Sequence, residues 1–228
     1  AVDYCLGVSR ASRFYNAPTD SDASTTSPDN VVLDHQARFL QLAVACIFCD
    51  CELAWEMAER LGQFGSLFAG TVWPYICAFY RGMAAMSMRH KSSRREYILT
   101  AKSCLKELRK GHKKSVRNIS HQLYLLKAEY AASQKYLSAE KFYLLAIEHA
   151  ALSGVTHEHA YACERFGTYH FLRKNHDAAY EQMREAHILY AKWGSRPKCE
   201  LLKKKYPRLG EKERLLLPSH QEQNLRQK

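Results

Sequence analysis

The chain reads as an all-α protein of stacked antiparallel helical hairpins, an α-solenoid of about eight or nine helices. Three observations predict this. Apolar residues recur at helical spacing in one segment after another from Val31 onward. No stretch sustains the apolar-polar alternation of a strand. The helical segments are short, roughly 14–18 residues, with only short turns between them, which implies antiparallel hairpins.

The elements follow in order. Residues 1–15 look like the end of a preceding element, and residues 16–30 (NAPTDSDASTTSPDN) lack any apolar period, so 1–30 reads as a remnant plus a flexible linker. The chain begins at Ala1 without a signal peptide and reads as a segment of a longer protein. A first helix starts near Val31, capped by Asp29 or Asn30, with Leu33, Phe39, Leu42, Cys46 and Ile47 on its stripe. A second covers about Cys51–Leu61 and stops at Gly62 and Gly65. The third, about Val72–Met88, takes Pro74 in its first turn, where the missing N–H is not needed. The fourth runs about Arg94–Arg109 and ends near Gly111. The fifth spans Asn118–Ser133, the sixth Tyr136–Ser153, the seventh Thr156–Leu172 and the eighth His176–Trp193, with Gly154 and Gly194 closing the sixth and eighth. A ninth covers about Lys198–Lys205 and stops before Pro207. Residues 31–209 thus form the helical-repeat domain, and 210–228 a basic, disordered tail.

Composition narrows the class. Hydrophobic residues make up 46% of the 228, enough to bury a core. The most apolar stretch, Leu67 to Met88, is interrupted by Pro74 and Arg81, so no membrane span is expected. Eight cysteines without the spacing of a small secreted scaffold suit free thiols in a reducing cytoplasm. The formal net charge of +11 is unevenly distributed. Residues 89–117 carry 11 Lys/Arg against 2 Asp/Glu, and residues 192–228 carry 11 against 4. Residues 1–88 and 118–191 are slightly acidic. The middle patch, Arg94, Arg95, Lys102, Lys106, Arg109, Lys110, Lys113, Lys114 and Arg117, is the candidate interaction surface. Tyr97 is the one aromatic residue that interleaves with it, which disfavours a single-strand stacking platform.

Self-similarity gives the architecture a second basis. LLKAEYAASQKYLSAEKFYLLAIEHA aligns with RFGTYHFLRKNHDAAYEQMREAHILYA, pairing Leu126 with Phe166, Tyr130 with His170, Ala139 with Ala179, Tyr143 with Met183 and Ala146 with Ala186, each pair 40 residues apart. Alanines let two helices approach closely, and the large residues fill the groove beside them. One hairpin alone cannot bury both faces, so neighbours must stack. Phe166-Gly167 followed by Ala179 and Ala186 keeps the spacing of a tetratricopeptide repeat, which this segment resembles as a class. Its period is longer than the roughly 34 residues of the consensus. Trp193-Gly194 completes the packing set. The earlier pairs, Val31–Leu61 and the helices between Val72 and Arg109, repeat the architecture but barely the sequence.

Residues 118–209 carry a further resemblance. NISHQLYLLKAEYAA, AEKFYLLAIEHAALSGVTHEHAYACERFGTYHF and HILYAKWGSRPKCELLKKKYPRL are similar to the helical-repeat region of large multidomain signalling kinases. Those proteins join a serine/threonine kinase-like domain and an AAA-type ATPase module to the repeats, often followed by GAF and histidine-kinase domains. Ser195 stands where that family has Ala, and the intruding Pro197 is expected to shorten the last helix. The resemblance implies a regulatory spacer or interaction platform, and it carries over no catalytic residue.

No motif points to chemistry. Cys46, Cys49 and Cys51 lack a second cysteine or histidine pair for zinc, and Cys46 and Cys49 suit small buried positions. His157-Glu158-His159 does not place its histidines at i and i+4. Met83, Met86 and Met88 read as core filling, and Tyr190, Trp193 and Gly194 as helix-end packing. There is no phosphate-binding glycine loop. The sequence therefore nominates no catalytic residue, metal ligand or cofactor. It predicts a non-catalytic protein-binding, signal-relay scaffold that meets flanking domains or an acidic protein. The alternative is a basic repeat that binds nucleic acid or an anionic membrane surface, with nucleic acid disfavoured by the absence of a recognised motif.

Overall fold

The computed structural model describes residues 28–61, 71–114 and 119–209. The fold is all-α, and no strand occurs among the described residues. The helices are α1 (Pro28–Ile47), α2 (Cys51–Leu61), α3 (Trp73–Lys91), α4 (Arg95–Lys113), α5 (Ser120–Ser133), α6 (Ala139–Ser153), α7 (Thr156–Leu172), α8 (His176–Trp193) and α9 (Arg196–Lys205).

The helix ends are explained by local chemistry. Asp50 caps α2: its carboxylate accepts the Leu53 N–H at 3.1 Å. The Asn175 side chain accepts the Ala178 N–H at the start of α8. Gly154 and Gly194, at φ 69° and 88°, end α6 and α8 in the left-handed conformation that glycine adopts without steric cost. Several boundaries differ from the sequence reading. α1 begins at Pro28, so Asp29 and Asn30 lie inside its first turn instead of capping it. α6 begins at Ala139, because the Tyr136 N–H turns back to the Ala131 carbonyl and closes the preceding turn. α9 begins at Arg196 and holds Pro197 in its first turn, so proline starts this helix and does not shorten it. α4 continues through Gly111, which is a packing gap and not a stop. A Cβ at that position would lie 2.7 Å from both the Ile119 and Tyr75 side chains.

The chain forms two compact units, divided between Val155 and Thr156. In the first, α1 pairs with α2, α3 with α4, and α5 with α6. The hairpins stack through α3, which packs on α1, α2, α4 and α5. α3 is therefore buried on nearly every side, from Cys77 through Met86, and Met83 and Met86 fill its core. α4 packs on α3 and α5 and buries one face only: Tyr97, Ala101, Cys104, Leu105, Leu108 and Gly111. In the second unit, α7 and α8 form a hairpin and α9 packs on α8.

Candidate interaction face on α4

The burial pattern of α4 positions the candidate surface. Its apolar residues repeat at three- and four-residue steps, so they share one face, and Arg95, Lys102, Lys106, Arg109 and Lys113 fall on the opposite one. All eight described members of the predicted patch (Arg94, Arg95, Lys102, Lys106, Arg109, Lys110, Lys113 and Lys114) are exposed. Arg117 lies outside the described residues. The patch has little internal neutralisation. Lys110 meets Glu107 at 2.9 Å and Arg94 meets Glu96 at 3.5 Å. Glu96 sits in the first turn, and Lys110, His112 and Lys113 in the last, so these charges complement the helix dipole. Leu99, 51% exposed, lies within the same face and adds an apolar contact point.

The structure extends the patch with residues the sequence reading had not grouped with it. Arg109 approaches Lys127 of α5, whose ammonium loses proton affinity through burial first and the Arg109 charge second. Lys127 lies over the rings of Tyr124 and Phe142, at 5.2 and 5.5 Å from their centres. Tyr124 in turn stacks with His149 at 5.2 Å and with Phe142 at 6.5 Å. An aromatic cluster from α5 and α6 therefore borders the basic face. These residues are distant from α4 in sequence, so only the hairpin stacking reveals the grouping.

The repeat residues have distinct placements. Leu126, Ala139, Tyr143, Ala146, Phe166, Gly167, Ala179, Met183 and Ala186 are buried. Leu126 seats against Gly82, and Gly167 brings α7 to within 3.1 Å of the Ala179 carbonyl, measured from where a Cβ would be. Tyr130 is half-buried, whereas its counterpart His170 is buried. Trp193 remains 44% exposed and packs by stacking on His157 at 5.2 Å. Gly194 serves as the α8 cap.

The described cysteines have separate structural settings. Cys46 is buried, with its thiol 3.6 Å from the Tyr80 carbonyl, and Cys49 is exposed in the turn after α1. Among the described residues, no three of His, Cys, Asp and Glu converge to hold a metal ion. Burial pushes the thiols of Cys77 and Cys163 up to about 12 and that of Cys104 up to about 11. They stay protonated at neutral pH and are poor nucleophiles. No described helix is long and apolar enough to cross a membrane.

Two buried carboxylates escaped the sequence reading as structural centres. Glu164 accepts the Lys198 ammonium at 2.7 Å and the Tyr190 hydroxyl at 2.9 Å, and the glutamate and the lysine are both almost fully enclosed. Glu129 accepts the Tyr143 hydroxyl at 2.8 Å, with His90 at 3.7 Å. Compared with protein-family models, curated proteins and solved structures, the chain matches none.

Proposed function

We propose that this chain is a non-catalytic protein-interaction and signal-relay scaffold of a multidomain signalling kinase or ATPase, and that the outer face of α4 holds an acidic surface of a flanking domain or protein partner. One observation carries this reading: α4 directs an exposed row of cations away from its packed face, with only two carboxylates to offset them. Such a row raises the local concentration of an acidic partner and fixes its register.

Binding of nucleic acid or an anionic membrane is the second reading, and the aromatic cluster bordering Arg109 is what favours it. It ranks lower because Tyr124 is already engaged by His149, Phe142 and the Lys127 ammonium, so its ring is not a vacant stacking platform. The test compares a fluorescent Asp/Glu-rich peptide with an oligothymidylate and with phosphatidylserine vesicles, at low and near-physiological salt. The expected result is that the peptide binds best near physiological salt. The Lys102→Glu/Arg109→Glu variant should weaken it by about tenfold or more, as expected for loss of a complementary charge pair. Tighter, steeply salt-dependent binding of the oligonucleotide would move the assignment to nucleic acid.

A further inference from the structure

Between α3 and α4 lies an open groove of about 570 Å³, within the size range of ligand sites. It is polar, and its charged lining is unbalanced: Arg81, Lys106 and Lys110 face it, with Glu107 as the one acid. Thr100 and Ser103 add two hydroxyls from the α4 side. Cys77 and Cys104 form part of its wall. Burial holds both thiols protonated even beside Arg81, so they add no negative charge. The lining therefore keeps a two-charge positive excess at neutral pH.

Arg81 is prepared for a specific kind of anion. Its Nε donates to the Ala58 carbonyl at 3.2 Å, which anchors the guanidinium from behind. Among the described residues its terminal nitrogens have no acceptor. A guanidinium held in this way presents a planar fork that matches phosphate bidentately. Lys106 and Lys110 add point charges at the rim, both exposed, with Lys110 paired to Glu107 at 2.9 Å. A carboxylate supplies one negative charge, whereas a phosphate monoester supplies about 1.5 to 2 and three acceptor oxygens. The excess of two charges and the two hydroxyl donors match the phosphate.

We infer that the α3–α4 groove is a phosphoryl-binding site that takes a phosphorylated serine or threonine side chain of a protein partner, with Arg81 as its anchor and Lys106 and Lys110 as its rim. The inference deepens the scaffold reading and rests on it, since the partner that lies along α4 would deliver the phosphorylated residue into the groove beside that face.

The test uses the full chain and three fluorescein-labelled peptides of one neutral sequence, carrying phosphothreonine, threonine or glutamate at a single position. The phosphothreonine peptide is expected to bind about tenfold or more tightly than the other two, the gain expected of a bidentate charge-assisted contact. Arg81→Gln should reduce it to the threonine level. So should Lys106→Glu, an exposed position outside the core, which separates loss of the site from loss of the fold. Equal binding of the phosphorylated and unphosphorylated peptides would overturn the inference. It would also fall if the phosphate-dependent gain survived both substitutions, or if only phosphatidic acid vesicles bound through Arg81. The Lys102→Glu/Arg109→Glu variant reads the outer face separately. If it loses the Asp/Glu-rich peptide while the phosphate-dependent gain is absent throughout, the scaffold reading stands and this inference fails. If Asp/Glu-rich binding ignores that variant, the scaffold reading itself fails.

Discussion

At the scale of single residues, the second unit turns on Glu164. Its carboxylate lies out of water and is balanced by Lys198 and Tyr190, which reach it from α9 and α8. The ammonium also lies over the Tyr190 ring at 5.5 Å, so three side chains share one enclosed site. A buried pair of this kind contributes little relative to an apolar pair of the same volume, but removing one partner strands a charge. Lys198→Ala is therefore expected to destabilise the protein by about 3–5 kcal/mol, while Glu164→Leu/Lys198→Met stays within about 2 kcal/mol of the parent. Urea unfolding followed by circular dichroism checks both. A single variant as mild as the double one would show that the charge is relieved by water, and the site would then not be enclosed. Sequence reasoning could not find this centre. The sequence puts Lys198 at the start of the ninth helix and Glu164 inside the seventh, but burial of a charge depends on which elements fold over it.

At the scale of elements, most helices were legible because their apolar spacing is regular. α2, α7 and α8 begin and end where pattern and caps place them. The intra-hairpin turns were not legible. Three of them place a non-glycine residue in the left-handed region: Cys49 at φ 60°, Lys135 at 59° and Lys174 at 61°. The backbone closure is the same each time, with the next residue bonding back five positions, as in Asp50 to Ala45, Tyr136 to Ala131 and Asn175 to His170. The turns of α1–α2, α5–α6 and α7–α8 therefore repeat in conformation although their sequences do not. The usual glycine signal was missing, since cysteine and lysine occupy the strained position. Glycine would relieve that strain. Lys135→Gly and Lys174→Gly are each expected to stabilise by up to about 1 kcal/mol, the steric cost of the left-handed region less the added entropy of the unfolded chain. Differential scanning calorimetry measures this as a higher Tm. A lower Tm would mean that the lysine stem contributes packing that outweighs the backbone strain.

At the scale of the whole molecule, the charge blocks read from the sequence become geometry. The middle block was legible as composition, and its exposure as one row follows from the single buried face of α4. The groove was not legible, because Arg81 belongs to α3 and reaches the α4 lysines only after the hairpin closes. The same row that attracts an acidic partner repels itself. Lys106 has like-charged neighbours at Lys102, Arg109 and Lys110, one helical turn away on either side. Each such pair costs about 0.2–0.5 kcal/mol, and an opposite charge gains a similar amount. Lys106→Glu is therefore expected to raise stability by about 1 kcal/mol or more at low salt, even as it removes the phosphate-dependent binding. Screening should shrink the gain at high ionic strength, where the Debye length falls to about 3 Å at 1 M. Denaturant midpoints of parent and variant at low and high salt decide the matter. A stabilised variant that no longer binds would show that the cations of α4 are kept for recognition at a cost to the fold. A variant destabilised at low salt would show instead that the Lys106 stem packs along the helix surface, and that the row does not repel itself.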